Sequence, residues 1–267
     1  MVTKALAAGL AVMINIHHFD ELDTNPVATA DEFVKIWSQI AAHYRHFPPQ
    51  FAFELDNEPT AKATTAVMNP IYAQTIAEIR KTNPRRTIFV EPGNWGNIGE
   101  LHNLVLPPDE NVIVSVHCYD PFLFTHQGAS WTKGLTPVTG IVFPGPPAAP
   151  RALDPSLKIP NWEQNWFRSY NTLPADKNPS SPLAFEGKLK LARAWSDYYG
   201  RPVHVGEFGA FTQADARSRV NFYTAFRRAC QAGGLGWAIW DWSAGFRYWD
   251  RQNRCSLPGM HEALFGK

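Results

Sequence analysis

Phe51-Ala52-Phe53-Glu54-Leu55-Asp56-Asn57-Glu58-Pro59 begins as a strand and ends as chemistry. Phe51, Phe53 and Leu55 alternate as strand residues do, and Pro59, with no N–H for a ladder, stops the run. Glu58 is thereby placed at the carboxyl end of a strand, the edge on which parallel α/β proteins assemble their sites. A glutamate there, preceded by the amide of Asn57, is a candidate acid or nucleophile. Asn, Asp and Pro also dominate ordinary turns, so the stretch by itself fits turn chemistry equally well.

Five other apolar runs end in the same manner. Residues 10–16 read as a continuous strand stopping at His17-His18, and 87–91 is a β-branched run closed by Pro92-Gly93. Residues 111–116 lead into His117-Cys118-Tyr119, 202–209 carry Glu207, and 236–242 pass through Trp237 and Trp240. Helical spacing fills the intervals. Phe33, Ile36, Trp37, Ile40 and Tyr44 follow Thr29 and Glu32, which read as a capping box. Ile71, Tyr72, Ile76 and Ile79 form a second stripe, Phe185, Leu189, Ala192 and Trp195 a third, and Val220, Tyr223 and Phe226 a fourth. A short helix over 3–9, closed by Gly9, precedes the first strand.

Strands alternating with helices predict an α/β fold, a parallel barrel with its site on the carboxyl-terminal face. Six strands are visible where a closed barrel needs eight, and the shortfall lies ahead of residues 10–16. We expect one incomplete domain over 1–267. Within it, 127–182 hold ten of the 22 prolines and read as a long loop insertion, a functional cover rather than a linker.

Composition narrows the partner. A hydrophobic content of 45% is ample for a core, and a formal charge of +1 gives no basic stripe for nucleic acid or an anionic membrane. Ten tryptophans and 13% aromatics suit flat, uncharged ligands with C–H-rich faces, a description sugars meet. Three cysteines without CxxC spacing signal neither a disulfide framework nor a zinc site. Lys4 and the apolar residues after it imitate a signal peptide, but the run passes into Asn15 with no small-residue cleavage site, and it is too short to span a bilayer.

Glu58 and Glu207 each close a strand, 207 − 58 = 149 residues apart, and a barrel would bring them together. Paired carboxylates suggest glycoside hydrolysis, in which one protonates the leaving oxygen while the other attacks the anomeric carbon or activates water; a retaining pair stands about 5–5.5 Å apart. Adjacent strand residues point to opposite faces, so His17 and His18 do not make a metal pair, and no metal or cofactor is expected. By the same rule Trp237 and Trp240, three apart, place one ring in the core and one in the site. Trp37, Trp195 and Tyr198 fall on helix core faces. His43, Arg45 and His46 read as a solvated helix end, and Glu91 as a carboxylate supporting the site or touching substrate. Trp162 and Trp166 either line the cleft or pack an interface.

These motifs resemble glycoside hydrolase family 5, the cellulase-type enzymes of (β/α)8 TIM-barrel fold. The resemblance rests on Ile14-Asn15-Ile16-His17-His18-Phe19, Asn57-Glu58-Pro59, His117-Cys118-Tyr119, Gly206-Glu207-Phe208-Gly209 and Trp237-Ala238-Ile239-Trp240, with Asn94-Trp95-Gly96 and the stretch from Thr125 to Trp131 similar to a bacterial endoglucanase and mannanase subgroup. It runs from about residue 5 to the carboxyl terminus, interrupted by the Pro-rich stretch. It implies Glu58 as acid/base with Asn57 on the 2-hydroxyl, and Glu207 as nucleophile with Tyr119 donating to it. His17, His18 and His117 would bind sugar hydroxyls or tune the pair. Trp240 would floor the subsite of the reacting sugar, and Trp95 and Trp131 would stack further along.

The implied activity is retaining, endo-acting hydrolysis of β-1,4-glucan, cellulose-type before mannan, in a secreted or extracellular setting. Alternatives are an exo-acting β-glucosidase, with the Pro-rich loop walling one end, and a carbohydrate-binding barrel without catalytic competence. The family's arginine that supports the nucleophile has no counterpart, since Arg45, Arg80 and Arg85 belong to helices or loops. Open edges at 10–16 and 236–241 further predict a homo-oligomer joined through the gap.

Overall fold

The computed structural model describes residues 1–132, 135–154 and 156–266. Six strands follow one another in a sheet in chain order: β1 (Val12–Asn15), β2 (Phe51–Glu54), β3 (Ile88–Val90), β4 (Val112–His117), β5 (Val203–Glu207) and β6 (Gly236–Trp237). β1 to β4 pair in parallel, with Ile14 opposite Phe53, Phe53 opposite Ile88 and Ile88 opposite Val112. This is the α/β order that the alternation of apolar runs predicted. The strand expected over 236–242 is regular only at Gly236 and Trp237, because Ala238 N and Trp240 N reach back to carbonyls of Val205 and Phe208 and carry the chain into a loop.

The chain divides into two compact units, one of Met1–His117 with Ala192–His204 and one of Cys118–Leu191 with Val205–Lys267. In the first, helices Pro26–His43 and Thr65–Arg80 cover the sheet. Their apolar faces meet the odd positions of β2. Trp37 is fully buried 5.2 Å from Phe53, and its indole N–H, which needs a partner when buried, donates to Leu55 O at 2.9 Å. Ahead of β2 the buried guanidinium of Arg86 donates to the carbonyls of Pro48 and Phe51 at 2.6 Å, Phe47 at 2.8 Å and Tyr44 at 3.2 Å. One cation thus satisfies four main-chain acceptors, of which the bond to Phe51 is buried and the others part-buried.

The second unit has an aromatic core of Phe124, Phe143, Phe185, Phe208, Phe222 and Phe226, in which Phe208 and Phe226 stack at 4.2 Å. The Pro-rich stretch is built onto it. Ile141 exchanges two hydrogen bonds with the side chain of Gln127, and Phe143 N donates to Ser218 Oγ. The stretch is not all loop: Asn161–Thr172 is helical, with Phe167 and Tyr170 buried, a pattern the surrounding prolines obscured. A short antiparallel pair, β7 (Trp249–Asp250) and β8 (Cys255–Ser256), follows β6.

Two local expectations fail. The first long helix starts at Pro26, not at Thr29, whose hydroxyl instead donates back to Asn25 O; proline at the first helical position carries the start signal. Tyr198 is 82% exposed. It lies six residues from buried Ala192, about 120° round the helix at ~100° per residue, and so off the core face on which Trp195 sits. Among the described residues, no helix is long and apolar enough to cross a membrane.

Candidate active site

Two clusters form at strand ends, one in each unit. In the first, the chain leaves β2 and turns through Asn57 and Glu58. Asn57 N donates to Ile16 O at 3.0 Å, which ties this turn to the end of β1. Glu58 has φ 54°, a left-handed conformation costly for a residue with a Cβ. It is held there by Glu91 Oε2, which accepts the Glu58 N–H at 3.0 Å, and by His117, whose Nδ1 lies 2.8 Å from Glu58 Oε1. The other ring nitrogen of His117 is 3.2 Å from Glu91 Oε1. One imidazole therefore bridges two carboxyl groups.

Glu91 is fully buried, and burial pushes its carboxyl up to about 8; His117 and the Glu58 N–H pull it back, and nearby Glu54 adds to the rise. Gly96 seals this corner in a left-handed conformation of φ 63°, where a Cβ would come within 2.7 Å of Glu91 Oε2 and 3.2 Å of His117 N. Asn94 and Trp95 are also left-handed, and Trp95 N donates to Pro59 O at 3.2 Å, leaving the indole 57% exposed beside the Asn57-Glu58-Pro59 turn. His17 and His18 meet edge to face at 4.7 Å. Burial first, and then His18, hold the His17 imidazole below its usual value against the pull of Glu58.

In the second unit Glu207 ends β5, and its main-chain oxygen accepts from Cys118 N at 3.0 Å. Tyr119 Oη donates to Glu207 Oε2 at 2.6 Å, the length of a charge-assisted bond. The Tyr119 ring is fixed by His126 at 4.9 Å and Phe246 at 5.8 Å. Burial pushes the His126 imidazole down to about 4, so it is neutral at neutral pH. Trp131 stands on edge against Phe211 at 4.9 Å with its ring 53% exposed. Trp240 is tied by its N–H to Phe208 O at 2.9 Å, whereas Trp237 packs 5.9 Å from Phe208. Gly209 is required beneath Trp240, since a Cβ would collide with Trp240 O.

The structure thus gathers His17, His18, Asn57, Glu58, Trp95 and His117 at or just past strand ends of one unit, and Tyr119, Glu207 and Trp240 at those of the other, with Trp131 in a turn beyond the helix Phe122–Thr125. Sequence reading missed Glu54 and Asp56. Both are buried: Asn15 Nδ2 donates to Glu54 Oε2 at 3.0 Å, and burial, with Glu91, Asp23 and Glu54 adding, holds the Asp56 carboxyl well above its usual value. Their signal was present as carboxylates alternating with Phe53 and Leu55 on a strand whose other face is core.

The sequence pattern of the family described as Cellulase (glycosyl hydrolase family 5) matches residues 1–245. Endoglucanase 3 of Fibrobacter succinogenes is 30% identical over 264 residues, which cover 96% of this chain and 39% of that protein. Endoglucanase H of Acetivibrio thermocellus is 26% identical over 90% of this chain and 22% of its own length, so the chain spans well under half of either relative. Among solved structures, a hyperthermophilic endo-β-1,4-glucanase in complex with substrate superposes with a TM-score of 0.83 at 32% identity, covering 100% of this chain and 75% of that one. Cel5A of Thermotoga maritima in complex with cellobiose gives a TM-score of 0.83 at 29% identity, covering 99% and 75%. With its motifs on the strand ends where such a barrel carries its chemistry, this chain belongs to glycoside hydrolase family 5.

Proposed function

We propose that the chain is a retaining, endo-acting β-1,4-glycanase, taking cellulose-type glucan before mannan, with Glu58 as acid/base and Glu207 as nucleophile. The observation that carries this reading is that each glutamate has the neighbour its role requires: His117 on Glu58, and the Tyr119 hydroxyl on Glu207. Glu58 protonates the leaving glycosidic oxygen while Glu207 attacks the anomeric carbon. Water then attacks the anomeric carbon while Glu58, now a carboxylate, takes its proton, and the bond to Glu207 breaks to free the sugar and the Glu207 carboxylate. The Tyr119 hydrogen bond keeps Glu207 ionised for attack and stabilises it again as a leaving group.

Asn57 serves the 2-hydroxyl, His17 and His18 further hydroxyls, Trp240 the face of the reacting sugar, and Trp95 and Trp131 sugars further along. Exposed indoles suit that stacking. The chemistry calls on no cofactor. Hydrolysis of soluble glucan by the parent, Glu58→Gln and Glu207→Gln tests the assignment: each variant should lose at least ~100-fold. An undiminished rate in either would remove that residue from its role, and a parent that binds oligosaccharide without cleaving it would favour a binding protein. Self-association through the outer edge of β1, on which Met13 is exposed and ahead of which Leu10 is exposed, is the accompanying proposal, and light scattering that returns a single-chain mass would end it.

A further inference from the structure

We propose that Glu91 is the proton reservoir of the Glu58 acid, reached through the imidazole of His117. The inference rests on Glu58 being the acid/base, and its geometry lies within one unit. Glu91 grips Glu58 twice: Oε2 accepts the Glu58 N–H at 3.0 Å, and Oε1 lies 3.2 Å from His117 Nε2, while His117 Nδ1 lies 2.8 Å from Glu58 Oε1. Carboxyl, imidazole and carboxyl therefore stand in succession, joined by a hydrogen bond at the Glu58 end and by a 3.2 Å approach at the Glu91 end, where Oε1 accepts no hydrogen bond. The imidazole side chain is 3% exposed, Glu91 is 0% exposed and Glu58 is 29% exposed, so the path runs from a dry end to the end that substrate reaches.

The proton inventory balances without a charged imidazole. In the proposed resting arrangement Glu91 carries its proton on Oε1, a buried atom that accepts no hydrogen bond and lies 3.2 Å from His117 Nε2, and His117 Nδ1–H donates to Glu58. To arm the acid, the Glu91 O–H bond breaks as the Nε2–H bond forms, and the Nδ1–H bond breaks as a Glu58 O–H bond forms. One proton has moved from Glu91 to Glu58, His117 has exchanged tautomers, and the cluster holds a single negative charge throughout.

Its surroundings favour the proton on Glu91 at rest. Glu54 and Asp56 face it from β2 and the residues after it, Tyr72 from the helix Thr65–Arg80, His204 faces His117 from β5, and His17 faces both His117 and Glu58 from the end of β1. Two carboxyl groups and a buried site oppose a second anion, in line with a Glu91 carboxyl pushed up to about 8. A purely structural Glu91 would only need to accept the Glu58 N–H, which an amide oxygen does as well.

Glu91→Gln separates the two roles. We expect KM and the low-pH plateau of kcat to stay within about threefold of the parent while the alkaline limb of kcat/KM moves about one unit or more toward acid, and Glu91→Asp to recover part of that shift. A uniform loss at every pH, or an unmoved limb, would overturn the proposal. A second readout needs neither turnover nor a variant: nitrogen NMR of the parent's labelled histidines should show His117 neutral at neutral pH, with both ring nitrogens shifting in one step near pH 8. An imidazolium at neutral pH, or the absence of that step, overturns it. Should the parent cleave no β-glycan, the reading of function fails while the imidazole measurement still decides the proton path.

Discussion

Replacing Tyr119 by phenylalanine removes one hydroxyl and little else. The ring keeps its neighbours His126 and Phe246, and the loss is the 2.6 Å bond to Glu207 Oε2. A hydrogen bond to an ionised carboxylate contributes ~1.5–3 kcal/mol. At ~1.36 kcal/mol per factor of ten, that is a 10- to 100-fold effect on a step that feels the full bond, or ~1–2 units in the acidity of Glu207. In the proposed retaining mechanism, with Glu207 as nucleophile, the two half-reactions feel it differently. In the first, Glu207 gives up negative charge to the anomeric carbon, so the bond is spent and its removal costs little. In the second, Glu207 must depart as a carboxylate, and the missing donor makes it a poorer leaving group. With an activated aryl β-cellobioside in stopped flow, Tyr119→Phe should release close to one equivalent of aryl alcohol in a burst, followed by a steady rate ~10–100-fold below the parent. The acid limb of the pH profile should move to higher pH, because Glu207 without the donor is a weaker acid. A variant within about twofold of the parent in both phases, or one that loses the burst rate and keeps the steady rate, would refute this account of Tyr119.

Two other perturbations test the frame. Arg86→Met removes donors from one buried and three part-buried carbonyls and should cost ~1–3 kcal/mol in denaturant unfolding; a loss under ~0.5 kcal/mol would show that the loop before β2 does not depend on it. His126 and His204 are pushed down to about 4, so below their ordinary value near 6.5 the unfolded chain binds protons that the fold refuses, and stability should fall from there toward pH 4. Glu91, raised to about 8, acts in the opposite sense: its contribution is complete below its ordinary value of 4.5 and is lost as pH climbs toward 8, so Glu91→Gln should flatten that alkaline decline in melting temperature. An unchanged decline in the variant would mean that Glu91 ionises normally in the fold.

The strands and most helices were legible because their signals are local. Phe51, Phe53 and Leu55 announce β2 by alternation, and the residue at which each apolar run stops identifies the edge that carries chemistry. The start of the first long helix was misread because Thr29 and Glu32 make a plausible cap inside a helix that Pro26 had already begun. The helix Asn161–Thr172 was hidden by flanking prolines, which punctuate a helix as readily as they exclude one. Glu91 was visible as a third carboxylate at a strand end, but its partners were not: a bridge from Glu91 through His117 to Glu58 joins positions far apart in the chain, and only folding reveals that one imidazole touches both. Tyr119 and Glu207 were paired through the family resemblance, and the 2.6 Å contact gives that pairing a distance.

The most direct test of the central claim is to trap the nucleophile. An activated 2-fluoro-cellobioside slows both half-reactions, and incubation followed by peptide mass spectrometry should place the sugar on the peptide holding Gly206-Glu207-Phe208, with one label per chain and loss of activity in step. A label on the peptide of Glu58 or Glu91, or hydrolysis of the parent substrate with inverted configuration and no label at all, would contradict the account.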